Sequence, residues 1–146
     1  IFTYLGGVKM SIKVIHHYTE KHLTDLYQLF QNEWWTKERS LADIKTMIDL
    51  SHVTIGLVDQ VSDELVGFAR AISDGVYRAF IFDVIVKENG RKQGYGLTLM
   101  NSLLNHSVIQ DVERVELYCP ERLVSYYEQF GFSTDVNGST LMRLRR

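Results

Sequence analysis

The chain has 146 residues, 45% of them hydrophobic and 23% charged, with a formal net charge of -2 and one cysteine, Cys119. That length suits a single domain with a sizeable core. The charge excludes a generally basic nucleic-acid-binding surface, one cysteine excludes an intrachain disulfide or a thiolate metal cluster, and no apolar run approaches the ~20 residues of a membrane span. The composition therefore reads as a cytoplasmic protein with no nucleic-acid or membrane partner.

Residues 1–9 precede Met10 and read as an N-terminal extension, a cloning remnant or a short first strand; residues 10–146 read as one domain. Residues 11–16 follow as a strand with Ile12 and Val14 on one face. Thr19 is a candidate helix cap, and Leu23, Leu26, Tyr27 and Phe30 recur behind it at helical spacing. Residues 32–36 break the pattern. Ser40 then caps a second helix through Leu41, Ile44, Met47, Ile48 and Leu50. The adjacent Trp34 and Trp35 cannot share a helix face, so they read either as core residues or as an aromatic wall beside a substrate.

From His52 the period becomes that of strands. Val53, Ile55, Leu57 and Val58 form one strand, residues 65–72 the next, and a turn at residues 73–75 leads into a third that is rich in β-branched and aromatic residues. Its end, Val84-Ile85-Val86, runs through a polar turn into Arg91-Lys92-Gln93-Gly94-Tyr95-Gly96. A helix carrying Leu97, Met100, Leu103 and Leu104 comes after it. Strand, basic glycine loop and helix N-terminus make an anion trap: first-turn amides are unpaired, the helix dipole is positive there, and glycines let an anion approach the backbone. The plainer reading is a turn that uses Gly for shape and Lys/Arg for solubility.

Residues 112–119 alternate as another strand. Residues 122–130 read as a short helix ended by Gly131, and residues 132–134 and 140–144 as a terminal hairpin around Asn137-Gly138. The order β-α-α-β-β-β-α-β-α-β-β describes an α/β chain with a mixed, mostly antiparallel sheet and about four flanking helices. None of His16, His17, His22, His52 and His106 has a metal-ligand spacing, so no metal is expected.

The loop Arg91-Lys92-Gln93-Gly94-Tyr95-Gly96 matches Arg/Gln-x-x-Gly-x-Gly/Ala, and Tyr127-Glu128-Gln129-Phe130-Gly131-Phe132 matches a Tyr-x-x-x-Gly-Phe ending about thirty residues on. With the element order, these resemble the GCN5-related N-acetyltransferase family (GNAT). Residues 67–74, followed by Asp83-Val84-Ile85-Val86, are similar to a bacterial subgroup of small members. The resemblance implies an acyl-CoA N-acyltransferase fold and acetyl-CoA as cosubstrate. Its pyrophosphate would be cradled by Arg91, Lys92, Gln93, Gly94, Tyr95, Gly96 and Leu97, and its pantetheine arm would lie along Val84, Ile85 and Val86. A bulge in that strand would splay it from the strand carrying Cys119. A homodimer is a further expectation from the resemblance.

Acetyl transfer to an amine needs a neutral nucleophile, a stabilised oxyanion and a proton for the departing thiolate. The resemblance puts Tyr127 by the sulfur as general acid, and a Tyr pKa near ~10 suits that task. Asp83 is the first candidate for a base, with Asp74 and Glu33 behind it. Trp34, Trp35 and Asp74, with Arg70 and Tyr77, are candidates for the acceptor site. Two positions depart from the family pattern: Pro120 stands where an Asn is common, and Leu123 where an Ala is. The reading is an N-acetyltransferase acting on a primary amine of a small molecule, peptide or protein. The alternative is a non-catalytic acyl-CoA-binding sensor or scaffold.

Overall fold

The computed structural model of the chain describes residues 2–5, 8–91 and 93–146. Ten elements organise it. Strands β1 (Phe2–Leu5) and β2 (Val8–Ile15) open the chain, followed by helices α1 (Glu20–Gln31) and α2 (Leu41–Leu50). Strands β3 (Val53–Asp59), β4 (Leu65–Ser73) and β5 (Arg78–Val86) come next, then α3 (Tyr95–Leu104), β6 (Arg114–Glu116) and α4 (Val124–Glu128). The sheet runs β1-β2-β3-β4-β5-β6, antiparallel throughout except for the parallel pair β5–β6. That one parallel pair is joined through α3, as a crossover connection requires.

Local chemistry sets the helix starts. The Thr19 hydroxyl accepts from the His22 amide at 3.2 Å while the His22 ring accepts from the Thr19 amide, a reciprocal cap. The Ser40 hydroxyl accepts from the Asp43 amide at 3.1 Å.

Each face of the sheet has its own core. Leu99, Met100 and Leu103 of α3 pack on Ile55, Leu57, Ala69, Ala71, Ala79 and Ile81. Leu26, Leu29 and Phe30 of α1 and Ile44 of α2 pack on Val58, Leu65, Phe68 and Ile85 from the other side. Burying each Val, Leu, Ile, Phe or Met among them stabilises the fold by about 1.5–3 kcal/mol.

One expected element is absent. Asn137 and Gly138 do form their turn, both at positive φ (56° and 75°), closed by the Ser139 amide donating to the Val136 carbonyl at 3.1 Å. The flanking residues 132–134 and 140–144 nonetheless form no strands. The side-chain bonds nearby are local to the turn: the Ser133 hydroxyl takes the Asp135 amide (3.0 Å) and the Asp135 carboxylate takes the Asn137 amide (3.3 Å). The last helix is also shorter than its spacing implies, because residues 121–123 wind as a 3-10 turn before Val124. Gly131, at φ 96°, ends that segment as expected.

Candidate active site

The site is built around an irregularity in β5. Phe82 pairs with Arg70 and Ile85 with Phe68, so Asp83 and Val84 together stand opposite Ala69 alone. Two residues against one is a β-bulge. Asp83 takes a φ of 57°, a left-handed conformation that Asp tolerates better than most residues. The bulge flips the phase of the strand. Before it, Ala79 and Ile81 face α3; after it, Val84 and Val86 do, and Ile85 turns to α1.

The same irregularity opens the sheet. β5 and β6 pair only at Arg78–Arg114, Ala79–Val115 and Phe80–Glu116. From Ile81 to Val86 the outer edge of β5 has no strand partner among the described residues. The splay implied by the sequence resemblance is present, and Cys119 follows the end of β6 in the chain.

At the end of β5 stands the N-terminus of α3. Gly94 is its cap, at φ 78°, with no side-chain cap bond and no acidic residue in the first turn. The first intrahelical bond there is from the Thr98 amide to the Gly94 carbonyl at 3.1 Å. The amides of Tyr95, Gly96 and Leu97 thus have no protein acceptor among the described residues, and they carry the positive end of the dipole. Further back the loop is already committed: the Arg91 amide donates to Glu88 and the Gln93 amide to Gly90. The expectation at Lys92 lies outside the described residues.

Arg91 is half-exposed and bends back towards the ends of α1 and β5. Its guanidinium donates to Glu33 Oε1 at 2.5 Å and to the Val86 carbonyl at 3.3 Å. It lines a cavity of about 600 Å³ with Leu29, Asn32, Glu33, Ile85, Val86, Lys87, Glu88 and Asn89. This hollow joins the end of α1, the end of β5 and the glycine loop. Neither its Asn32 nor its Asn89 was singled out from the sequence.

Tyr127 packs against the α3-side core, next to Tyr126 at a ring distance of 5.1 Å. Burial, then the nearby Tyr126 and Cys119, pushes its hydroxyl pKa up to about 12. Burial also raises that of Tyr126. Tyr126 touches the glycine loop itself: a Cβ added at Gly96 would stand 2.5 Å from its hydroxyl. The second glycine of the motif is therefore the floor on which α4 rests.

Asp83 occupies a different setting from that expected of a base. Its side chain is 5% exposed. Arg39 donates to both of its oxygens (2.8 and 3.0 Å), and Arg70 Nε donates to Oδ2 at 2.7 Å. Three guanidinium N–H donors thus tie this carboxylate to β4 and to the segment between α1 and α2. Arg70 also lies over the Phe82 ring at 4.9 Å. One side chain can meet both Phe82 and Asp83 because the bulge turns these consecutive residues to the same face. Phe82 stacks on Phe80 at 4.8 Å, and Phe80 meets Tyr118 at 5.9 Å, so an aromatic strip runs from the bulge towards β6. Of this group the sequence reading had Arg70 and Asp83. The alternation of Phe80 and Phe82 signalled two rings on one face; nothing in the sequence pointed to Arg39.

The tryptophans are not core residues. Trp34 is 83% exposed and Trp35 43%, in the turn held by the Thr36 hydroxyl donating to the Phe30 carbonyl. Asp74 sits at the β4–β5 turn, the opposite end of β5 from Val86. There its Oδ1 accepts the amides of Val76, Tyr77 and Arg78, bonds that hold its carboxyl below the usual range. Asp74 and the tryptophans do not line the cavity.

Comparison with known proteins agrees with this geometry. A family model described as "Acetyltransferase (GNAT) family" matches residues 20–132. An uncharacterized N-acetyltransferase ycf52 of Gracilaria tenuistipitata var. liui is 34% identical over 119 residues, 80% of this chain and 65% of that protein. The protein of the same description in Porphyra purpurea is 29% identical over 134 residues, 89% of this chain and 76% of its own length. The chain thus spans about two thirds to three quarters of these relatives. Among solved structures, a putative GNAT-family acetyltransferase from Xanthomonas campestris pv. campestris superposes with a TM-score of 0.76 at 27% identity, covering 93% of this chain and 94% of that one. Glucosamine-6-phosphate N-acetyltransferase from Arabidopsis thaliana, at 16% identity and a TM-score of 0.72 (92% and 98% covered), shares the fold.

Proposed function

The chain belongs to the GNAT family of acetyltransferases, and from that premise we propose that it is an acetyl-CoA-dependent N-acetyltransferase acting on a primary amine by direct attack within a ternary complex. The observation that carries this reading is the union of an unpartnered β5 edge with an uncapped helix N-terminus. One supports an extended amide-bearing arm, the other a pyrophosphate. The residues present fit the cosubstrate: the amides of Tyr95, Gly96 and Leu97 would face its phosphates and the backbone of Val84, Ile85 and Val86 its pantetheine. Gln93 and Gly94 shape the loop, and Arg91 adds charge once it leaves Glu33. Acetyl-CoA would supply the activated acetyl thioester.

The chain contributes position and proton control. Tyr127, protonated at neutral pH as an ordinary tyrosine is and made a weaker acid by burial, is the donor for the leaving thiolate. Backbone amides at the gap stabilise the oxyanion. Asp83, engaged by two guanidiniums, serves as an anchor for the bulge rather than as the base, and the amine loses its proton to solvent. Trp34 and Trp35 border the acceptor's approach from the α1–α2 turn, while Asp74 acts through the turn it closes.

The test is acetyl transfer from acetyl-CoA to a panel of amines, amino acids and peptide N-termini, followed as released thiol, with Tyr127→Phe alongside. Turnover that falls at least a hundredfold in the variant supports the assignment. Acetyl-CoA binding with no transfer to any acceptor would replace it with the sensor reading.

A further inference from the structure

The Arg39–Asp83–Arg70 cluster carries two guanidiniums against one carboxylate. Every Asp and Glu of the chain is among the described residues, and no second carboxylate pairs with either arginine. The cluster therefore holds one net positive charge. It is largely enclosed: the Arg70 side chain is 15% exposed and that of Arg39 30%. Removing a charge from water without a full counter-charge is costly. The Phe82 face under Arg70 and the Phe30 face under Arg39 (4.9 and 4.7 Å) offset part of that cost but add no negative charge.

The donors are also unequally used. Arg70 Nε is on Asp83 and Nη1 donates to the Ser51 hydroxyl at a long 3.4 Å; Nη2 makes no hydrogen bond among the described residues. Fixed by Asp83, with the Phe82 ring beside it, this guanidinium loses little freedom when it takes another partner. It stands one strand from the bulge, on the face lined by Phe80 and Phe82 and opposite α3.

We propose that Arg70, with Arg39 and Asp83 holding it in place, receives a carboxylate carried by the acceptor, so that the acceptor is a primary amine bearing an anionic group and an apolar or aromatic body. The proposal rests on the acetyl-transfer reading for its location and narrows the acceptor class. Arg70 is a specificity residue: it pairs with the acceptor's carboxylate, away from the amine that reacts. The aromatic strip of Phe80, Phe82 and Tyr118 receives the body.

Binding tests the site apart from turnover. With CoA present, the protein is titrated with 3-phenylpropanoate and with 3-phenylpropanamide, which differ in charge and share a shape, by calorimetry or NMR. The acid is expected to bind about tenfold or more tighter than the amide, consistent with a charge-assisted pair. The ratio should shrink with added salt and approach one in Arg70→Gln, with Arg70→Lys between. Equal binding of acid and amide by the unaltered protein overturns the proposal whatever the variants do, and so does an acid preference that survives Arg70→Gln. A parallel turnover comparison of phenylalanine with phenethylamine separates the two readings. An acid preference with no transfer to any acceptor supports the carboxylate site and removes the acetyltransferase reading; transfer with no acid preference does the reverse.

Discussion

Asp83→Asn distinguishes an anchor from a base. Asparagine tolerates the φ of 57° that this position requires, so the backbone is unchanged and only the charge and one acceptor are lost. Removing one partner of a buried ion pair outright costs about 3–5 kcal/mol. Asn keeps one accepting oxygen, so a loss of about 2–3 kcal/mol is expected from the weakened charge-assisted bonds. For a chain of this size that lowers the melting temperature by about 4–12 °C. Turnover measured below the new transition should fall less than about tenfold, with a higher KM for the acceptor and a pH profile of unchanged shape, because no proton passes through this carboxylate. Asp83→Ala should be worse still: it leaves two guanidiniums without their counter-charge and adds about 1–2 kcal/mol for the left-handed backbone. An Asp83→Asn protein that melts like the parent, loses more than about a hundredfold in kcat and drops one limb of its pH profile would refute the anchoring argument and restore the base.

The other expectations concern the loop and the tyrosines. Tyr127→Phe should lower kcat about a hundredfold or more while leaving the KM for acetyl-CoA nearly constant, since a proton donor acts in the transition state. The raised Tyr127 pKa also fixes a sign: its neutral form is favoured by the fold, so this stabilisation is full below the ordinary value of 10 and is lost as pH rises towards about 12. Denaturant titrations across that window should show a steeper alkaline loss in the parent than in Tyr127→Phe. Gly94→Ala should cost about 1–2 kcal/mol through its φ of 78° and weaken acetyl-CoA binding, read by isothermal titration. Gly96→Ala should weaken it as well by driving the Tyr126 hydroxyl away, and Tyr126→Phe, by removing that oxygen, should recover part of the loss in the double variant.

Local chemistry made much of the fold legible. Thr19 and Ser40 cap helices because a hydroxyl before a periodic apolar run meets an orphan amide, and Gly94 and Gly131 mark positive φ because other residues are strained there. The glycine loop was legible for the same reason, together with its place between a strand and a helix. Tertiary pairing was the harder part. Asn137-Gly138 makes its turn from local preference, whereas strands on either side need partners that local preference does not supply. Trp34 and Trp35 show a similar limit: large aromatic rings have the composition of a core, and only the turn geometry decides that they face outward.

The bulge explains why the acceptor side was least legible. Sequence patterning assigns faces by a period of two, and a single inserted residue reverses every assignment beyond it. An unbroken β5 would put Phe82 and Asp83 on opposite faces; in the folded chain both meet Arg70. The reversal also turns Ile85 towards α1, brings Val84 and Val86 to the α3 side and accompanies the loss of pairing with β6 after Phe80. One backbone irregularity thus underlies both the gap proposed for the cosubstrate and the charged cluster proposed for the acceptor. The cluster secures the irregularity in turn, since Arg39 reaches Asp83 from the segment between α1 and α2 and Arg70 from β4. Damage to that ion cluster should therefore reach both substrates, whereas damage to the glycine loop should reach acetyl-CoA alone.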